Sequence, residues 1–373
     1  ALGEYFMQDG GLVGLGGAMV LWVILTLVAW GQGDQIFLSM SGARKIGPED
    51  LPVLWNVVEE MSLAAGLSKM PAVYVIDDPA PNAFATGRRA ENAAVAVTSG
   101  LMKRLSRDEL QGVVAHEIAH IRNRDIQLML FAGVLAGAIV ILAEVGLRGM
   151  WFGGGRSRSR RDGDGGQGLI ALVAVVLMIV APIIAQLIYF AISRKREYLA
   201  DASAATFTRY PEGLASALEK IASSPRKLAS ANSATAPMYI INPLKRAGKA
   251  AANATSTHPP IDERIRILRA MGGGGFAAYD ESYRRVKESR RGVVPGSALK
   301  DDPGGGLRGP SAEGPAMRDD PLRRERARQV DDFFYKQDGW RRIPCPCGTV
   351  LKLPPDFDAP RAKCPRCGRV HPV

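Results

Sequence analysis

Three long apolar stretches divide the chain, and polar blocks lie between and after them. Residues 11–30 and 168–192 contain no charged residue, and residues 126–147 contain one, Glu144. A helix rises about 1.5 Å per residue, so about 20 apolar residues cross the ~30 Å hydrocarbon core of a bilayer. We therefore predict three membrane spans. Three buried core helices are the alternative, but soluble helices of this length usually have a polar face.

The polar blocks on either side of the second and third stretches fall on one side of the membrane if all three stretches cross it. Strand-like segments at 73–76 and 93–98 and a helix from about 101 to 124 indicate an α+β domain split by two spans. The predicted organisation is an N-terminal segment and span (1–30), an N-terminal domain segment (31–125), two spans joined by a basic glycine-rich loop (126–192), a C-terminal domain segment (193–285), a flexible linker (286–339) and a cysteine module (340–373).

The charge balance is basic, with 48 Lys and Arg against 37 Asp and Glu. Such a balance suits nucleic-acid binding or basic flanks on membrane spans. The apolar stretches favour the second explanation, so a lipid bilayer is an expected partner and nucleic acid is not. Basic residues near the span ends slightly favour a cytoplasmic location for the polar blocks. The cysteines lie on the same side, and thiolate metal sites suit a reducing compartment.

The predicted helix in the N-terminal domain segment carries the sequence His116-Glu117-Ile118-Ala119-His120. Residues four apart share a helix face, so His116 and His120 can bind one ion. Glu117 lies beside them and can reach a water on that ion, whose pKa zinc lowers to about 7. The pattern indicates a catalytic zinc site. The alternative is a chance pentamer on a solvated helix.

A zinc protease site needs a third protein ligand and an open fourth position. Glu197 follows the third stretch on the side of the histidines, and Asp201 lies four residues later on the same helix face. Glu197 is therefore a candidate for the third ligand, and Asp201 could hydrogen-bond a ligand histidine. Glu197 could instead be a solvated acid that balances the basic residues before it. Asp125 is another possible ligand, although it lies at a membrane boundary.

Together these segments resemble the HtpX family of membrane-embedded zinc metalloproteases, which is related to the CAAX prenyl proteases. The resemblance implies that His116, His120 and Glu197 bind one catalytic zinc, that Glu117 is the general base and that Asp201 is a hydrogen-bond partner. It also implies a protease that acts on membrane proteins at the cytoplasmic face of a bacterial inner membrane, in quality control. The matching segments are 81–87, 93–101, 116–125, 196–201 and 257–265.

The chain departs from that family at both ends. Similar proteins usually carry one more span upstream, and this chain begins in what resembles the loop after it. The common family pattern also lacks a tail after about residue 285.

Two further residues near the site are implied by the resemblance. His258 and Arg264 are expected to be catalytic, by analogy with a histidine that stabilises the tetrahedral oxyanion; such a donor contributes roughly 2.7–4 kcal/mol. Without the resemblance, His258 would be interpreted as a surface loop histidine. Arg264 could instead form a salt bridge on a helix at 261–270.

Substrate binding is predicted around the 93–98 strand. Ala93, Ala94 and Ala96 are small, and an edge strand with small side chains lets an extended peptide add as a further strand. Asn82, from a matching segment, is the remaining predicted substrate-binding residue. The alternative is that residues 93–98 form an ordinary buried strand with no role in substrate binding.

The last 34 residues contain all the cysteines of the chain, in the order C-x-C, sixteen residues, C-x-x-C. We expect Cys345, Cys347, Cys364 and Cys367 to hold a second, structural zinc in a small ribbon. Reduced thiols or a redox pair are the alternatives. A module of this size has too little core to fold without a metal. Its partner is not indicated by the sequence.

The sequence thus predicts an integral-membrane zinc endopeptidase, with membrane spans, a zincin-like α+β domain and a zinc ribbon. Its expected substrates are polypeptides, in particular membrane proteins. A membrane-tethered binding protein that acts through the ribbon and has an inactive protease domain is the alternative. Glu117 argues against it, because a binding scaffold has no need of a catalytic base.

Overall fold

The computed structural model describes residues 10–87, 89–129, 131–132, 134–137, 139–140, 143, 166–226, 228, 239–241, 258–311 and 321–373. The expected basic loop at 153–168 falls mostly outside these ranges, as does much of the second apolar stretch. The main helices are α1 (Gly10–Met40), α2 (Pro52–Ala64), α3 (Ser99–Arg104), α4 (Arg107–Arg122), α5 (Gly166–Thr208), α6 (Pro211–Ala222), α7 (Ile261–Arg269), α8 (Phe276–Val286), α9 (Gly296–Lys300) and α10 (Pro321–Gln337).

Two long helices contain the first and third apolar stretches. α1 has 31 residues and α5 has 43, with Pro182 inside α5. Within the described residues, one helix, Val175–Thr208, is long and apolar enough to cross a membrane, and 6% of its most apolar window is buried. Its exposed apolar side chains include Leu177 and Ile183. The number of spans stays a prediction.

The domain contains a four-stranded sheet with the strand order β1-β2-β4-β3. β2 and β4 are parallel, and the other two pairs are antiparallel. The strands are β1 (Ala43–Lys45), β2 (Ala72–Ile76), β3 (Ala83–Thr86) and β4 (Ala94–Thr98).

The edge-strand prediction for 93–98 is wrong. β4 is paired on both sides, to β2 and to β3, so its backbone cannot accept another strand. The small residues Ala94 and Ala96 instead make room for an aromatic cluster over the sheet, in which the rings of Phe37 and Phe84 lie 4.5 Å apart. Ala93, Ala94 and Ala96 are all buried. Their assignment to substrate binding depended on an exposed edge strand and therefore loses its basis.

The core of the domain surrounds α4, which carries the HEIAH segment. The N-terminus of α4 is closed by the predicted capping box of Ser106 and Glu109. Gly112 lets α6 approach closely, because a Cβ there would lie 2.6 Å from the backbone nitrogen of Leu214. α4 also packs against α2 and α5. This packing places the histidine helix between the sheet and α5.

The flexible linker predicted for 286–339 is also wrong within the described residues. α10 lies across α3, and its side chains Val330, Phe333 and Phe334 are buried in the core of the domain. They recur at helical spacing, so one face of α10 is apolar although the segment as a whole is charged. Surface ion pairs border this contact, with Lys103 Nζ 2.5 Å from Asp331 Oδ1.

The cysteine module forms two antiparallel hairpins, with a small core of their own. They are made of β5 (Arg341–Pro344) with β6 (Val350–Leu353), and β7 (Arg361–Lys363) with β8 (Val370–Pro372).

Candidate active site

The three residues expected to bind zinc converge inside the domain. α4 brings His116 and His120 onto one face, with their Nε2 atoms 3.2 Å apart. α5 enters from the apolar stretch and places Glu197 opposite, with Oε1 3.5 Å from His120 Nε2 and Oε2 3.7 Å from His116 Nε2. One potential ligand atom from each of the three lies within 4.8 Å of the others.

The donor set and its surroundings fit a zinc ion. Two imidazole nitrogens and one carboxylate are a known zinc protease set, which leaves a fourth position open. Glu117 lies beside them with 2% of its surface exposed, and its Oε1 has no hydrogen-bond partner among the described residues. A buried polar atom without a partner calls for an explanation, and a water held on a metal would supply one.

The environment of Glu117 favours a proton acceptor with a raised pKa. Burial raises the pKa of its carboxyl group above the usual value, while the nearby His116 and His120 act in the opposite direction. The backbone N–H of Ala85, on β3, donates to the carboxylate. The side chain is therefore fixed between the edge of the sheet and the two imidazoles.

His116 is held from behind by Asp201 and Arg264. His116 Nδ1 lies 3.0 Å from Asp201 Oδ1, and Arg264 makes two hydrogen bonds to Asp201. Burial alone would lower the pKa of His116, but its contacts with Asp201 and Glu197 raise it to about 9. Arg264 is fully buried and its Nη1 lies 3.4 Å from Glu197 Oε2. Its contacts are those of a buried ion pair, the alternative that the sequence left open.

His258 lies in the site as the chain approaches α7. Its Nδ1 lies 3.0 Å from Glu197 Oε2, and 10% of its side chain is exposed. A surface loop histidine would not have this contact. The preceding residues 242–257 lie outside the described ranges.

Asn82 is used by the chain itself. Its Nδ2 donates to the backbone carbonyl of Ile241 at 3.1 Å, and its Oδ1 accepts from the N–H of Ala83 at 3.0 Å. The N–H of Ile240 donates to the carbonyl of Ala83. Asn82 thus ties the segment 239–241 to the first residue of β3, and its substrate-binding role stays a prediction without support from these contacts.

Asp125 is a site residue that sequence reasoning placed only as an alternative ligand. Its Oδ2 lies 2.7 Å from His120 Nδ1, the nitrogen on the opposite side of the ring from the candidate metal position. It therefore backs His120 as Asp201 backs His116. An acid five residues after His120, just beyond the helix that carries the histidines, was the available signal.

Comparison with known proteins decides the family. Residues 50–272 match peptidase family M48. The chain belongs to this family. A protease HtpX homologue from Dictyoglomus turgidum is 48% identical over 272 residues, which cover 73% of this chain and 86% of the relative. The homologue from Thermoanaerobacter pseudethanolicus is 47% identical over 273 residues, which cover 73% of this chain and 90% of that homologue. The M48 protein is therefore a metalloprotease, and the predicted resemblance to the HtpX proteases is confirmed.

A more distant likeness links this M48 protein to a solved structure. The crystal structure of Ste24p from S. mikatae aligns with a TM-score of 0.44 at 20% identity, over 68% of this chain and 58% of that one.

The cysteine module contains a second candidate metal site. Cys345 Sγ lies 3.5 Å from Cys367 Sγ, and Cys347 Sγ lies 3.7 Å from Cys364 Sγ. Disulfides require about 2.05 Å, whereas four thiolates at ~2.3 Å around a tetrahedral zinc lie about 3.8 Å apart. Gly348 and Gly368, each after the second cysteine of its pair, have φ angles of +85° and +75° that favour glycine. The geometry fits one zinc ion on four thiolates.

Proposed function

We propose that this M48 protein is an integral-membrane zinc endopeptidase, in which His116, His120 and Glu197 hold the catalytic ion and Glu117 is the general base. The observation that carries the proposal is the convergence of these three donors beside the buried, unpartnered Oε1 of Glu117. A binding scaffold would gain nothing from burying a carboxylate there at the cost of its desolvation.

Zinc at this position would lower the pKa of a bound water to about 7 and polarise the scissile carbonyl. Glu117 takes the proton of the attacking water and passes it to the leaving amine. His258 borders the same space and donates a hydrogen bond to the oxyanion. Asp201 and Arg264 act through His116 and Glu197 by holding them in place.

The substrate lies along β3 in this proposal. β3 is at the end of the sheet, and the N–H of its residue Ala85 reaches Glu117. An extended polypeptide that pairs with the backbone of β3 would pass beside the base, with little demand on its side chains. Ile240 already occupies the carbonyl of Ala83. The N–H of Ala85 donates to Glu117 and the N–H of Gly87 donates to Asp34, so the carbonyl of Ala85 is the backbone group that this edge offers to a substrate.

We further propose that the protease lies in the bacterial cytoplasmic membrane, with its catalytic domain in the cytoplasm and membrane proteins among its substrates. The exposed apolar surface of α5 supports contact with lipid, because large exposed apolar patches are rare on soluble proteins. The thiolate site supports a reducing compartment. Reporter fusions test this orientation: a fusion at residue 160 should report the outer side, and one in the β1 region the cytoplasm. A cytoplasmic signal at 160 would contradict it.

The ribbon is proposed to hold a second, structural zinc. Its folding would then depend on the metal, since structural zinc supplies an apparent binding energy of roughly 10–16 kcal/mol in small modules.

Casein cleavage by the detergent-purified protein tests the proposed activity. Chelation with 1,10-phenanthroline should abolish cleavage, and added zinc should restore it. His120→Ala should lose both cleavage and the catalytic zinc. His371→Ala is the matched control, since His371 lies in the ribbon, far from these ligands in the sequence, and is not among the candidate donors. Full cleavage by His120→Ala would refute the assignment.

A further inference from the structure

Each imidazole of the candidate zinc site is backed by an aspartate, and each aspartate by an arginine. His116 has Asp201 and Arg264 behind it, and the resemblance to the protease family already implied the role of Asp201. The second set is His120, Asp125 and Arg196. The sequence alone indicated no role for Asp125 beyond that of a possible ligand, and none for Arg196 beyond a basic flank of the apolar stretch.

The second set is closely connected and mostly removed from water. Asp125 Oδ2 lies 2.7 Å from His120 Nδ1, and Asp125 Oδ1 forms an ion pair with Arg196. The side chain of Asp125 is 5% exposed and that of Arg196 18%. Arg196 Nη2 also donates to the carbonyl of Asn123 at 3.0 Å. One guanidinium therefore contacts both the acid and the backbone turn that follows α4.

The ion pair between Asp125 and Arg196 links two separate helices of the site. Arg196 lies on α5 immediately before Glu197, and Asp125 lies just after the end of α4. The ion pair joins the end of the helix that carries both histidines to the helix that carries the third candidate ligand. A displacement of α5 would move Glu197 and, through Arg196 and Asp125, His120 as well.

We propose that Asp125 and Arg196 are positioning residues for the zinc site. Asp125 accepts the Nδ1–H of His120, which fixes the tautomer that leaves the Nε2 lone pair for the metal and sets the orientation of the ring. Arg196 holds Asp125 in that place and balances its charge. The inference rests on the proposed zinc site.

Two simpler roles for Asp125 fit less well. As a fourth metal ligand it would have to reach the Nε2 side of His120, but its near oxygen lies on the Nδ1 side. As a surface acid at the end of a helix it would be solvated, whereas it is buried and paired with Arg196. Loss of a carboxylate behind a metal-binding histidine typically weakens metal binding by 10–100-fold.

The test is metal affinity, measured on full-length protein. Cobalt(II) added to the metal-free protein reports the two sites separately, because only the cysteine site has thiolate charge-transfer bands. Affinity at the nitrogen and oxygen site is measured by competition with a chelator. Asp125→Asn should weaken this site by 10–100-fold and shift its visible bands, while the cysteine site stays unchanged. Arg196→Gln should weaken cobalt binding at this site less than Asp125→Asn does. The double variant should bind cobalt about as weakly as Asp125→Asn alone.

Lys195→Gln is the matched control, because Lys195 is the neighbouring exposed cation. It should leave both sites unchanged. If the wild type binds cobalt normally and Asp125→Asn shows the same affinity and the same bands, the positioning role is overturned while the proposed zinc site stands. No binding at the nitrogen and oxygen site of the wild type would refute the proposed zinc site as well. If Asp125→Asn does not fold, Arg196→Gln decides: unchanged affinity in that variant overturns the inference.

Discussion

Arg264 and Asp201 form a two-point ion pair inside the protein, with Nε–Oδ2 at 2.8 Å and Nη2–Oδ1 at 2.7 Å. Neither side chain is exposed. Asp201 Oδ1 also lies 3.0 Å from His116 Nδ1, so the arginine influences the histidine through the aspartate, and its Nη2 also lies 3.5 Å from the same nitrogen. The planar guanidinium matches a carboxylate at two points, which an ammonium group cannot do.

Arg264→Ala should lower the free energy of unfolding by about 3–5 kcal/mol, because it leaves the carboxylate of Asp201 buried and unpaired. Arg264→Lys should recover only some of the loss. The control is Arg266→Ala on the same helix, whose side chain is 64% exposed and should change stability little. Denaturant unfolding in detergent measures all three. Equal effects of the Arg264 and Arg266 substitutions would contradict the structural account of the pair.

Glu197→Ala and Asp201→Ala should differ in their effect on catalytic zinc. Glu197 provides a ligand atom, so its loss should empty the site at zinc concentrations that fill the wild type. Asp201 acts through His116, so its loss should weaken binding by roughly 10–100-fold. Competition with a chelator measures both affinities. Full zinc occupancy in Glu197→Ala would mean that another carboxylate is the third ligand.

The pH dependence of cleavage should reflect the raised pKa of Glu117. The base must be ionised to accept a proton, so kcat/KM falls as the pH drops through that pKa. The acid limb should therefore lie above the ordinary glutamate value of about 4.3. Assays at saturating and at low casein concentrations across the pH range give kcat and kcat/KM separately. An effect on the catalytic step can then be distinguished from an effect on substrate binding. An acid limb at or below the ordinary value would contradict the buried environment of the base.

The C-terminal tail should divide into two regions with different effects. Removal of residues 340–373 should remove one zinc and preserve cleavage. Truncation after 285 should also destabilise the domain, because it removes the buried side chains Val330, Phe333 and Phe334; loss of one buried phenylalanine typically costs about 3–5 kcal/mol. Phe333→Ala tests the contact alone, with exposed Leu322→Ala as control. Unchanged thermal stability after truncation at 285 would contradict the packing of α10.

The sequence predicted best what depends on local spacing. His116 and His120 share a face because four residues make about one helical turn, and the capping box of α4 depends on two residues three apart. Glu197 was a candidate from its position after the third apolar stretch, but only the family resemblance decided between a zinc ligand and a solvated acid. Asp125 was harder, because its contact with His120 depends on how the chain turns after α4.

The two errors in the fold also have physical causes. A run of small residues such as Ala94 and Ala96 suits an exposed edge and equally the space beneath an aromatic cluster, and only the strand order decides between them. The apolar face of α10 was hidden by averaging over a charged, glycine- and proline-rich segment. Its three large side chains at helical spacing were the signal for packing.

Glu117→Gln provides the most direct test of the central claim, when zinc content and casein cleavage are measured on the same purified samples. Glutamine has nearly the same shape but cannot accept the proton, and Glu117 is not among the candidate ligands. The account predicts two zinc ions per chain in both proteins and a loss of cleavage of at least about 10²–10⁴-fold in the variant. Normal cleavage by a zinc-loaded Glu117→Gln variant would contradict it.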